Sequence, residues 1–73
     1  MKNLLDLSIG ESGKVLSFEN QGVVRKRLLD MGITTGVQVK LIKVAPMGDP
    51  LEIELRGYNL SLRKSEAKAI NIE

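Results

Sequence analysis

Apolar and polar positions alternate most cleanly between Leu51 and Arg56. Leu51, Ile53 and Leu55 face one side, and Glu52, Glu54 and Arg56 the other. A period of two predicts a strand with one buried face. The same phase resumes at Leu60 and Leu62, with Ser61 and Arg63 outside, so a second strand follows a tight reversal at Gly57-Tyr58-Asn59. Upstream, the valine, leucine and phenylalanine of "GKVLSFE" predict a first strand over residues 13–19. "VQVKLIKV" predicts another over 37–44. Val37, Val39 and Leu41 share a phase there that Ile42 and Val44 reverse, which places a bulge or bend near Leu41 and Ile42. Ile70 and Ile72 supply a closing strand after a single helical turn in "KSEAKA".

One segment departs from period two. In "VRKRLLDMGI", Val24, Leu28 and Met31 recur at spacings of four and three, which predicts a helix over residues 21–31. Asn20 is placed to cap it, and Gly32 stands where a helix ends in the left-handed region. Arg25, Lys26 and Arg27 fan over about 200° of circumference, at about 100° per residue, instead of lining one side. They read as a solvated outer face, with Asp30 four residues after Lys26 to offset it. Gly36 begins the next strand. Gly48, between Pro46 and Pro50, and Gly57 turn the chain.

The expected architecture is therefore mostly β: five short strands, with one helix inserted between the first and second. A small two-sided sheet leaves exposed edges and an uncovered apolar face, and curling into a partly open barrel relieves both. A chain of 73 residues makes a single domain, taken to span 1–73.

Composition removes several chemistries. Cysteine and histidine are both absent, so there is no disulfide, no thiol nucleophile and no common zinc ligand. Ser8, Ser12, Ser17, Ser61 and Ser65 have no histidine base, and no catalysis is expected of this chain. There is no GxxxxGK[ST] phosphate cradle. Arg25, Arg27, Arg56 and Arg63 are available to stabilise a transferring phosphoryl group on a partner, but nothing distinguishes one of them. A net charge of +2, with Phe18 and Tyr58 the only aromatics, makes a nucleic-acid-binding barrel the weakest alternative. No apolar run nears the roughly 20 residues of a membrane span, and "MKNLLDLSIGESG" lacks a signal-peptide pattern. The cytoplasm is the expected compartment.

Asp49, Glu52, Glu54 and Glu66 are the nearest approach to an acidic set. Glu52 and Glu54 share a strand face, and with Asp49 they are the candidates for a weak divalent transition-metal site, the second reading. Tight ferrous binding asks for more ligands in fixed geometry, and no cofactor is expected. The first reading is an interaction module, because small barrels offer loop grooves and short edges. Its candidate surface joins the helix to "APMGDP" and the hairpin, with Arg25, Met31, Met47 and Tyr58 as partner-binding residues.

In order and spacing, "RLLDMGITTGVQV", "APMGDPLEIELRGYNLSLR" and "EAKAI", preceded by "LLDLSIGESGKV", resemble the FeoA family of bacterial ferrous-iron transport accessory proteins. More distantly they are similar to the carboxy-terminal domain of repressors of the diphtheria-toxin-repressor class. The resemblance covers essentially the whole chain. It implies an SH3-like five-stranded barrel in the cytoplasm. It also implies a regulatory or docking partnership with the cytosolic portion of FeoB, a membrane ferrous-iron transporter, leaving this chain peripheral to the inner membrane and not inserted in it. Transition-metal binding comes with the family through the repressor kinship. Gly32, Gly36, Gly48 and Gly57 are the family-pattern glycines.

Overall fold

The structure, a computed structural model, describes residues 2–19 and 22–73. The chain opens with a 3-10 turn at Leu4–Asp6, a piece too short to show periodicity. Its start is fixed reciprocally: Asn3 Oδ1 accepts from the Leu5 amide, and Asp6 Oδ2 accepts from the Asn3 amide. The turn carries Leu4 and Leu7 into the core.

Five strands follow: β1 Ser12–Phe18, β2 Gln38–Val44, β3 Leu51–Leu55, β4 Tyr58–Leu62 and β5 Ile70–Ile72. Helix α1, Val23–Asp30, lies between β1 and β2, and α2, Lys64–Lys68, between β4 and β5. α1 is shorter than residues 21–31. Its N-cap position is Gly22, and Asn20, expected as the cap, lies outside the described residues. The predicted apolar stripe does face inward: Leu28 is fully buried, with Val24 and Met31 packed against the core.

All pairings are antiparallel, in the order β4-β3-β2-β1-β5. β1 pairs with β2 through Ser12–Lys14 and with β5 through Val15, Ser17 and Phe18. Its register shifts between Val15 and Ser17, so it bends from one partner to the other. The second irregularity falls between Leu41 and Lys43 of β2, at the phase reversal read from the sequence.

The expected barrel is not present, because this sheet does not close. β4 and β5 are its two edges and do not pair. β5 is unavailable to β4 because its outer side is already taken. Asn3 bridges to Asn71, and the Ile72 amide donates to the Lys2 carbonyl at 2.8 Å. After Leu62 the chain turns directly into α2, which packs on the 3-10 turn and β5. A helix and the amino-terminal segment thus fill the place where closing hydrogen bonds would run.

The apolar face is covered on all sides. Leu51, Ile53, Leu55 and Leu62 are buried together with Val15, Val39, Ile33, Ile70 and Ile72, while Leu60 is half-buried. Glycine is required at Gly13, where a Cβ would collide with the Cγ2 of Ile72, so β1 and β5 approach through a missing side chain.

Candidate docking surface

The β3–β4 hairpin reverses through Arg56 and Gly57, with φ of 51° and 84°. Paired left-handed residues make a type I′ turn, whose twist matches that of the strands it joins. The reversal therefore lies one residue earlier than expected, and Tyr58 and Asn59 belong to β4. Asparagine or glycine is the usual first residue here; the arginine is held by its side chain, since the Arg56 guanidinium donates to Thr34 Oγ1 at 3.2 Å. Next to it, the Tyr58 hydroxyl donates to the Met31 carbonyl at 3.0 Å. The hairpin is thereby latched onto the carboxy-terminal end of α1. Gly32, with φ of 93°, lies under the latch, where a Cβ would come within 2.5 Å of the Tyr58 hydroxyl.

Two of the four partner-binding candidates, Met31 and Tyr58, thus meet. Tyr58 remains 43% exposed, and Met31 is half-buried against the core. Arg25 lies exposed six residues back along α1, about 9 Å from Met31 along the axis. Met47 is not brought to them. It is 90% exposed in the β2–β3 connection, at the opposite end of β3 from the hairpin, roughly 13 Å of strand away. Close by it, a groove of about 300 Å³ is lined by Val44, Ala45, Pro46, Pro50 and Leu51 and reaches β4 at Ser61.

The three cations of α1 are not equivalent. Arg27 Nε lies 3.1 Å from Glu66 Oε2, and Glu66 Oε1 accepts from the Arg63 amide at 2.9 Å. Glu66 is only 6% exposed, so this carboxylate ties α1 to the start of α2. Arg27 and Glu66 stand 39 positions apart in the chain, and nothing local signals the pair. Arg25 and Lys26 stay exposed, and no Lys26–Asp30 ion pair forms among the described residues.

The metal candidates have other engagements. Asp49 Oδ1 accepts from the Lys64 amide at 2.9 Å, capping α2 from the β2–β3 connection. Glu52 accepts from Asn59 Nδ2 at 2.9 Å and lies 3.6 Å from Lys43 Nζ. Glu54 stands opposite Lys40 in the β2–β3 ladder. Asp49 is directed to a helix start and Glu52 to a cation and an amide, so this donor set does not fit a resident metal. No group of three histidine, cysteine, aspartate or glutamate side chains is placed to hold one among the described residues. Nor is any helix of the described residues long and apolar enough to cross a membrane.

Comparisons with known proteins agree in one direction. Residues 2–73 match the FeoA domain. An Fe(2+) transport protein A/Fe(2+) transporter FeoB fusion protein of Porphyromonas gingivalis is 36% identical over 70 residues; the match takes in 96% of this chain but only 8% of the fusion protein. The solution structure of a FeoA-like protein from Clostridium acetobutylicum superposes with a TM-score of 0.91 at 44% identity, covering 99% of this chain and 84% of that one. Stenotrophomonas maltophilia FeoA, solved in complex with zinc, gives 0.86 at 26% identity, covering 100% and 91%.

Proposed function

The chain belongs to the FeoA family, and we propose that it is a non-catalytic accessory protein of ferrous-iron transport that docks onto the cytosolic portion of a FeoB-type membrane transporter. The observation that carries this is the Porphyromonas gingivalis fusion protein, in which a segment akin to this chain is covalently joined to such a transporter. Fusion turns an encounter between two molecules into a contact at high effective concentration, which is useful only where the two parts work together. Where the two are not joined, the smaller one needs a surface of its own for the same purpose. The latched hairpin and the exposed side of α1 offer one, with Arg25 as its charge, Tyr58 as its aromatic anchor and Met31 behind them. Met47 would make a second point of contact at the other end of β3.

A weak transition-metal site is the alternative, supported by the zinc complex of the Stenotrophomonas maltophilia relative. The engagements of Asp49 and Glu52 weigh against it here. Calorimetry separates the two readings. Titration with the soluble cytosolic domain of a FeoB-type transporter is expected to give saturable binding, unchanged by a chelator. No binding to that domain, or stoichiometric micromolar binding of ferrous or manganous ion, would reverse the order.

A further inference from the structure

The two edges of the sheet are treated differently. β5 is covered by Lys2 and Asn3, whereas β4 has a partner on one side only. A two-residue turn makes its flanking pair, Leu55 and Tyr58, a hydrogen-bonded one, and alternation along the ladder turns the amides and carbonyls of Asn59 and Ser61 outward. Neither residue's main chain has a partner among the described residues. Exposed edges are usually blunted by charge, proline or a bulge. β4, "YNLSL", has none of these: it is uncharged, and its pairing with β3 runs without a register shift.

The charge lies at the two ends of the strand. Arg56 precedes β4, and Arg63 and Lys64 follow it. None of the three forms an ion pair among the described residues. Arg56 reaches the neutral hydroxyl of Thr34, and Asp49 meets the main-chain amide of Lys64, not its ammonium group. Glu52, on the adjacent strand, is answered by Lys43 and Asn59.

We infer that the free edge of β4 is a strand-addition site for an extended peptide whose short uncharged run is flanked on both sides by acidic residues. Main-chain bonds to Asn59 and Ser61 would hold the added strand, and its alternate side chains would lie beside Ser61, where a groove lined by Lys43 and Glu52 as well as by apolar residues begins. The flanking acids would meet Arg56 at one end and Arg63 with Lys64 at the other. A second copy of this chain fits less well. Pairing β4 with β4 antiparallel, so that Asn59 faces Ser61 of the second copy, sets Arg56 opposite Lys64 of that copy at both ends. Like charges so placed repel. This inference goes beyond the transporter reading and does not depend on it, because its probe is a synthetic peptide and not the transporter.

The test is a titration of the ¹⁵N-labelled protein with the peptide Asp-Glu-Thr-Val-Thr-Val-Thr-Glu-Asp, capped at both ends, and with its Lys/Arg-flanked counterpart. The acidic peptide is expected to slow hydrogen exchange at the Asn59 and Ser61 amides and leave those of Leu60 and Leu62, already bonded to β3, unchanged. Ser61→Pro removes an outward donor at a position where an edge strand tolerates proline, and should weaken binding about tenfold or more. Arg63→Gln with Lys64→Gln, which removes both charges without setting a carboxylate beside Glu66 or Asp49, should weaken it about fivefold. Unprotected Asn59 and Ser61 amides at millimolar peptide would overturn the inference, as would full binding by Ser61→Pro or equal binding of the basic peptide. Protection of the same amides by the protein's own concentration, without peptide, would replace the peptide with a second copy.

Discussion

The Tyr58 hydroxyl and the Met31 carbonyl lie 3.0 Å apart although 27 positions separate them in the chain. This one bond seats the hairpin on the end of α1, and Gly32 beneath it leaves the room that the tyrosine occupies. Tyr58→Phe should cost about 0.5–1.5 kcal/mol, the net value of one such bond. Gly32→Ala should cost more, combining a left-handed φ with the collision. In the double variant the collision is gone, so denaturant unfolding should show a loss smaller than the sum of the two single losses.

Glu66 answers Arg27 with one oxygen and the Arg63 amide with the other. Glu66→Ala leaves that amide without its acceptor and should destabilise by about 1–3 kcal/mol. Glu66→Gln keeps the acceptor and loses only the ion pair, so it should cost less. Arg27→Ala leaves the buried Glu66 carboxylate charged without its partner, so it should cost more than Glu66→Gln, which removes that charge. The order of the three melting temperatures checks the assignment.

Gly13→Ala drives a methyl group into the Ile72 side chain, where β5 packs against the start of β1. Overpacking a buried contact costs about 1–3 kcal/mol. The loss should appear with faster hydrogen exchange in β5, and Ile72→Val, which deletes only Cδ1 and keeps the Cγ2 that the new methyl meets, should not recover it.

Glu11 lies at the surface, yet its carboxyl titrates below the ordinary carboxylate range. The cause is first the hydrogen bond from the Ser8 amide and then Lys2. A carboxylate lowered by folding adds stability above its unfolded pKa and loses it as pH falls through the folded value. Following the Glu11 side-chain carbon by NMR should show that low midpoint. Lys2→Ala should raise it only part of the way, since the Ser8 amide remains.

The sequence announced most strands because alternation is local: Leu51, Ile53 and Leu55 carry their own evidence, and the phase reversal at Leu41 and Ile42 marks a real bend. It misplaced the hairpin by one residue because Arg56, not a glycine or asparagine, takes the first left-handed position. The 3-10 turn at Leu4–Asp6 left one faint sign, an asparagine three residues before an aspartate. Barrel closure was not legible at all, because periodicity assigns faces and not neighbours; what stops it is Lys2 and Asn3 lying along β5. The same holds for the surface. Tyr58 stands out in the sequence as the one tyrosine, but its meeting with Met31, and Met47's distance from both, are properties of the folded chain.

Docking onto the transporter is the central claim, and a shift map of the labelled protein against the cytosolic portion of a FeoB-type transporter tests it most directly. The expected result is saturable change confined to one contiguous surface that includes Arg25 and Tyr58, with the buried Ile53 and Ile70 amides undisturbed. A spectrum that does not change at saturating transporter domain would contradict it.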